Sequence, residues 1–208
     1  MLISREKFQL AKNIEKTRYG DYEYLYLEGN RAFVINPHFV LFIEDNPPDE
    51  EDFPVLEGID FGSIPDKVRV KKETALKVLK NLPSKKFFHE VLRYALFCEK
   101  GDYIKFGMTD LDDQQVISQK RIDSEYPAFR SFDKLTEVEG ELVDHQELPV
   151  DYLLKVLKAF QDFGAETIAV RKFIMNAPVV MTAQKEQMTM TGVVTPMIQQ
   201  EEEAPCST

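Results

Sequence analysis

The sequence is poor in the residues that do chemistry. Its 208 residues include two cysteines and three histidines. Cys98 sits in a strand-like run and Cys206 in a polar tail, so they make neither a disulfide framework nor a metal-spaced pair, and a reducing cytosol suits such a chain. His38, His89 and His145 are scattered without a partnered nucleophile, which leaves a hydrolytic triad unsupported. No P-loop and no dinucleotide fingerprint occurs. Asp110, Asp112 and Asp113 lack EF-hand spacing and read as turn chemistry. The later methionines (Met175, Met181, Met188, Met190, Met197) read as packing residues. Long apolar runs are also missing. Nothing approaches the roughly 18 apolar residues of a membrane span, and the amino terminus MLISREKFQLAK is charged by its fifth residue, so neither membrane insertion nor export is expected. Positive charge is in deficit, with 26 Lys and Arg against 36 Asp and Glu and a formal net charge of -10. That argues against coating nucleic acid with the whole surface, but it permits one basic face on an acidic body. No catalysis, metal or cofactor is expected.

What is present is a substantial core, at 43% hydrophobic residues, and a strong pattern in DKVRVKKETALKVLKNLPSKK, Asp66 to Lys86. Val68 and Val70 alternate with charged residues, as in a short strand. Ala75, Leu76, Val78, Leu79 and Leu82 then form one helical stripe, and Glu73, Lys77, Lys80 and Ser84 lie opposite before Pro83 stops the helix. Eight Lys or Arg stand here against two acids. Positive charge is gathered locally against the global trend.

Two other stretches read the same way. Ser4 is a plausible N-cap for a helix over about residues 5 to 16 that packs Phe8, Ala11 and Ile14 and turns Arg5, Gln9, Lys12 and Lys16 outward. Strands follow in YEYLYLEGNRAFVINPHFVLFIED, broken at Glu28-Gly29-Asn30 and Asn36-Pro37. From Glu44 to Asp66 nine acids and no Lys or Arg predict an exposed acidic connector. After the central helix, strands are expected over His89–Glu99, Tyr103–Thr109 and Gln115–Ile122, then a loop over residues 124 to 131 and a strand over 135 to 144. Pro149 opens a helix packing Val150, Leu153, Leu154, Leu157 and Phe160, with Gly164 beyond its end. Strands near 165 to 173, 178 to 184 and 187 to 195 follow, and residues 198 to 208 read as a disordered acidic tail.

A short amphipathic helix followed by about three strands thus occurs three times, with helices starting near residues 5, 72 and 149. The pattern predicts an α+β fold of repeated strand-helix-three-strand units, helices on one face of antiparallel sheets. The expected divisions are a partial N-terminal unit (1–66), a domain of two units (67–197) and the tail.

The run FFHEVLRYALFCEKGDYIKFGMTDLDDQQVISQKRI resembles the central domain of the bacterial sliding clamp, the β subunit of DNA polymerase III, in its strand, acidic-Gly turn and strand ending in Thr109-Asp110. The ending GVVTPM is similar to the Val-Val-Met-Pro-Met ending of those clamps, with Thr195 in place of the first Met. The resemblance implies a DNA-clamp fold acting as a processivity factor without catalysis of its own, in which helices line a hole around duplex DNA and touch phosphates non-specifically. It implies a cytoplasmic protein whose partners are DNA, a polymerase or other clamp-binding proteins, and further copies of the chain in a ring, four if every unit is used. The residues expected to face DNA are Arg5, Lys12, Lys16, Lys72, Lys77, Lys80, Lys155 and Lys158. The positions matching the family's partner-peptide pocket are Leu92, Thr109, Leu111, Val193, Pro196 and Met197. Two plainer readings stay open: lysine faces that are only solvated, and a clamp-fold module that binds replication proteins without forming a ring.

Overall fold

In the computed structural model of the chain, the described residues are 1–15, 22–57, 67–84, 89–122, 145–171 and 177–196. The expected loop at 124–131, the strand at 135–144, the tail, Lys16 and Met197 lie outside them. The first unit is β1 (Leu2–Ser4), α1 (Arg5–Gln9), β2 (Tyr24–Glu28), β3 (Arg31–Asn36) and β4 (Phe39–Asp45). The second is β5 (Lys67–Lys71), α2 (Lys72–Asn81), β6 (Tyr94–Lys100), β7 (Tyr103–Thr109) and β8 (Gln114–Lys120). The third has α3 (Val150–Phe163), β9 (Ala169–Val170), β10 (Val179–Lys185) and β11 (Met188–Val194).

All strand pairs are antiparallel and form two sheets, ordered β1-β6-β7-β8 and β5-β2-β3-β4-β11-β10-β9. The first two units exchange leading strands: β1 lies on β6, pairing Leu2 with Leu96, and β5 lies on β2, pairing Leu25 with Val70. The third unit joins the first, not the second, along the full length of β4 and β11, from Met188 opposite Asp45 to Val194 opposite Phe39. The helices share a core with both sheets, in which Phe8, Val78 and Phe160 meet Leu41, Phe106 and Met190. Among the described residues no helix is long and apolar enough to cross a membrane.

Several expected elements differ in detail. Helix α1 tightens into a 3-10 turn over Leu10–Asn13 and ends at Ile14, whose backbone is extended. The Asn13 amide donates to the Leu10 carbonyl there, competing with a further helical turn. Ser4 occupies the N-cap position, but its hydroxyl makes no capping bond. The strand expected from His89 begins only at Tyr94, after a 3-10 turn over Glu90–Arg93. Part of the acidic connector is anchored, since Phe53 and Leu56 are buried against Leu2 and Leu96. Helix α2 stops at Leu82 ahead of Pro83, and α3 is closed by Gly164 at φ +86, where a residue with a side chain is strained.

The packed face of α3 is rotated from the one the sequence suggests. Val156, Ala159, Phe160 and Phe163 are buried, whereas Val150, Leu154 and Leu157 are 67%, 57% and 38% exposed. Leu153 is half-buried. The apolar arc of α3 is wider than one contact, and β11 takes the side containing Val156 and Phe160.

Candidate functional site

The helices form a continuous layer, α1 packing on both α2 and α3. Lysines on this layer fall into two groups. Lys77, Lys80 and Lys158 are exposed. The others are tied down. Lys12 pairs with Asp162 across α1 and α3 at 3.1 Å, and Lys155 pairs with Glu15 at 2.5 Å while its ammonium lies 5.3 Å from the Tyr152 ring centroid. Lys12, Lys155 and Lys158, with Asn13, Glu15 and Asp162, line one depression of about 480 Å³ between the first and third helices. Lys72 donates to the Ile14 carbonyl. Arg5 turns onto the end of α2, donating to the Leu79 carbonyl at 2.6 Å and to that of Leu82. A cation there satisfies carbonyls left open by the helix terminus and complements its dipole. Burial lowers the Arg5 guanidinium from its ordinary value, partly offset by Glu6. The structure thus gives Arg5 and Lys72 bonds within the protein, and it brings Lys12, Lys155 and Lys158 together.

The described residues matching a peptide pocket do not gather at one place. Thr109 and Leu111 lie at the β7–β8 turn of the four-stranded sheet, and Leu92 is buried in the 3-10 turn before β6. At that turn Asp110 Oδ1 accepts the backbone N–H groups of Asp112 and Asp113, Thr109 Oγ1 accepts that of Leu111, and Leu111 takes φ +83. Val193 belongs to the seven-stranded sheet, buried with Ile35, Val40 and Val180, in an apolar cluster containing none of Leu92, Thr109 and Leu111. The turn beside the end of β11 is the one joining β3 and β4. Thr195 donates its N–H to the His38 carbonyl at 3.0 Å, the His38 N–H donates to the Asn36 side chain at 3.1 Å, and the His38 ring stacks on Tyr152 at 4.3 Å. Asn36, His38 and Tyr152 therefore stand beside the end of β11, and Thr109 and Leu111 lie on the other sheet. The sequence carried a signal for them in the break at Asn36-Pro37, but only the β4–β11 pairing gives that break its position.

A group of buried charges went unread in the sequence. Lys7 and Asp45 pair at 2.5 Å, at 2% and 1% side-chain exposure. Glu6 accepts from Arg93 and, at 3.1 Å, from Lys185. These residues come from α1, β4, the turn before β6, and β10, so the group ties all three units together. Burial lowers the Lys7 ammonium from its ordinary value, and Asp45 opposes that shift. Nearby, burial, with Asp45 and Glu90 adding to it, pushes the Tyr94 hydroxyl up to about 12. These are structural charges. Among the described residues no group of three metal-ligating side chains occurs.

No family model and no curated protein sequence matches the chain. Solved structures do. The Helicobacter pylori beta clamp bound to a DNA ligase peptide matches with a TM-score of 0.61 at 11% identity, over 96% of this chain and 65% of that one. The Caulobacter crescentus DNA polymerase sliding clamp gives 0.59 at 12% identity, covering 96% and 65%. The DNA polymerase III subunit beta of Pseudomonas aeruginosa gives 0.58 at 12% identity, covering 96% and 66%. The chain spans just under two thirds of the length of these clamps, and almost all of it is used in the match. With antiparallel sheets, exchanged leading strands and a one-sided helix layer, the chain has the fold of the bacterial β sliding clamps.

Proposed function

We propose that this chain is a sliding-clamp-like processivity factor that surrounds duplex DNA without reading its sequence and tethers a polymerase or other replication proteins. The observation that carries this reading is the helix layer: all three units turn their helices to one side of the sheets, and lysine is exposed on that side of an acidic protein. A surface meant to slide must meet phosphates without gripping bases, and lysine on helices does so. On this reading units one and two make one domain and unit three stands beside it. Lys77, Lys80 and Lys158 are the primary phosphate contacts, with Lys12 and Lys155 released from Asp162 and Glu15 as DNA approaches. No catalytic step is assigned to any residue.

The test is retention on nicked circular DNA compared with the same DNA linearised, over a range of salt. Wild type should be held on the circle and run off the linear form. Lys77→Glu with Lys80→Glu should keep the fold and flatten the logarithmic salt dependence by about 1.8, at about 0.9 for each of the two phosphates no longer neutralised. Equal retention on both DNAs, unchanged by the two reversals, would remove the encircling function. The internal pairing of Lys12 and Lys155 favours the second reading, a clamp-fold module that binds replication proteins without a ring, and this outcome would select it.

Partner binding is assigned to the end of β11, where Thr195 donates its N–H to the His38 carbonyl and the His38 ring stacks on Tyr152. Stacked rings beside the exposed Thr195 suit a short extended peptide. His38→Ala should weaken binding of a clamp-motif peptide by about 1–3 kcal/mol, the range for a central anchor, while Leu111→Ala leaves it unchanged. Titration of a labelled peptide checks this. The reverse pattern would place the peptide at the β7–β8 turn.

A further inference from the structure

The end of β11 and the lysine layer meet in a closed circuit of five residues. The His38 ring stacks on Tyr152, with 4.3 Å between centroids and 17° between planes, and the Lys155 ammonium lies 5.3 Å from the Tyr152 centroid. Lys155 pairs with Glu15 Oε1 at 2.5 Å. The other oxygen of that carboxylate, Oε2, accepts from the Asn36 side-chain amide at 3.3 Å, and Asn36 Oδ1 accepts the His38 backbone N–H at 3.1 Å, which closes the circuit. Three parts of the chain meet here. Glu15 follows the first helix, Asn36 and His38 belong to the β3–β4 turn, and Tyr152 and Lys155 are three residues apart on one face of α3. Asn36 is buried, whereas the side chains of Lys155 and Glu15 are 39% and 40% exposed, so a phosphate reaches the ammonium without any element unfolding.

We infer that Glu15 is a positioning residue that couples the two surfaces, so that duplex DNA on the helix layer and a peptide at the end of β11 strengthen each other's binding. This rests on the clamp reading above, which supplies the two ligands. Glu15 holds Lys155 with one oxygen and Asn36 with the other. A phosphate that draws Lys155 away removes the ammonium from the Tyr152 ring, and a peptide side chain then covers that ring without having to displace a cation. With Lys155 gone, the Glu15 charge faces the Asn36 amide alone, and this charge-assisted bond steadies the turn that carries His38. The reverse order gives the same result. A peptide lying over Tyr152 pushes the ammonium off the ring and frees it for a phosphate. Both ligands favour the state with Lys155 released, and linkage makes the factor equal in the two directions.

The test is titration of a labelled clamp-motif peptide into the full chain, alone and with saturating nicked circular DNA. Wild type should bind the peptide about fivefold more tightly with DNA present, the low end of ordinary coupling between sites. Without DNA, Lys155→Met and Glu15→Gln should each bind it about fivefold more tightly than wild type does, and DNA should add nothing further to either. These substitutions change the net charge in opposite directions, and glutamine keeps an acceptor for Asn36. A general effect of charge on the peptide would therefore move the two variants apart. Opposite shifts, or wild-type affinity in both variants, overturn the inference. A wild type that binds both ligands, but binds the peptide equally with and without DNA, overturns it too and leaves the clamp reading standing. A wild type that holds neither DNA nor peptide removes that reading and the coupling with it.

Discussion

Lys7→Met should lower the stability of this protein by about 3–5 kcal/mol, the cost of leaving one member of a buried ion pair without its counter-charge. Against a total of about 5–15 kcal/mol for an ordinary domain, that is a large share. The reason is the placement of Asp45. It is the last residue of β4, opposite Met188 at the start of β11, and its carboxylate is sealed from water with the Lys7 ammonium. Removing Lys7 leaves that carboxylate in a low-dielectric site next to Glu6, itself held by Arg93 and Lys185. Asp45→Leu alone should be equally harmful, since the ammonium is then stranded. The double change Lys7→Met with Asp45→Leu should recover most of the loss, because an apolar pair of similar volume no longer carries the desolvation cost of two ions. Urea unfolding checks this, provided the slope is unchanged so that the midpoint reports stability. A double variant as unstable as the sum of the singles would mean that the two side chains act independently.

Much of this architecture was legible, and the illegible parts share a cause. Strands β2 to β4 announce themselves through alternating aromatic and β-branched residues between two turns, and α2 through one apolar stripe ended by Pro83. These signals are local. The burial of Glu6 and Lys7 is not local, because α1 lies between parts of all three units and its charged positions find partners up to 179 residues away. The exchange of leading strands rests on β1, which has three residues and no pattern of its own. The peptide site shows the same limit. Similar strand ends close β3 and β7, at Asn36 and Thr109, and the resemblance to clamps was carried by the second. Which one adjoins the C-terminal strand depends on whether β11 pairs with β4 or elsewhere, a choice that no window of sequence contains. In α3 two apolar rows compete, and a notch in the sheet decides between them.

That notch is Gly192, and substituting it should loosen the third unit. Gly192 lies opposite Leu41 on β4 and Met181 on β10, in the middle of the seven-stranded sheet. A Cβ at this position would stand 2.7 Å from Val156 Cγ1, 3.1 Å from Phe160 Cε2 and 3.3 Å from Leu41 Cδ2. The first distance is below any real contact, and Val156 is β-branched and fully buried, so it has no other rotamer to take without strain. The helix must move away from the sheet. Gly192→Ala should therefore cost about 1–3 kcal/mol, the usual range for overpacking a well-filled core, and Gly192→Val more than that. The gain in strand propensity from replacing glycine offsets only a fraction of the loss, since that scale spans about 1 kcal/mol. Removing the obstacle gives the decisive control: Val156→Ala in the Gly192→Ala background should be more stable than the sum of the two single effects predicts, because the second change opens the space the first one needs. Additive losses would show that the close approach of α3 to β11 is not what glycine permits at this position.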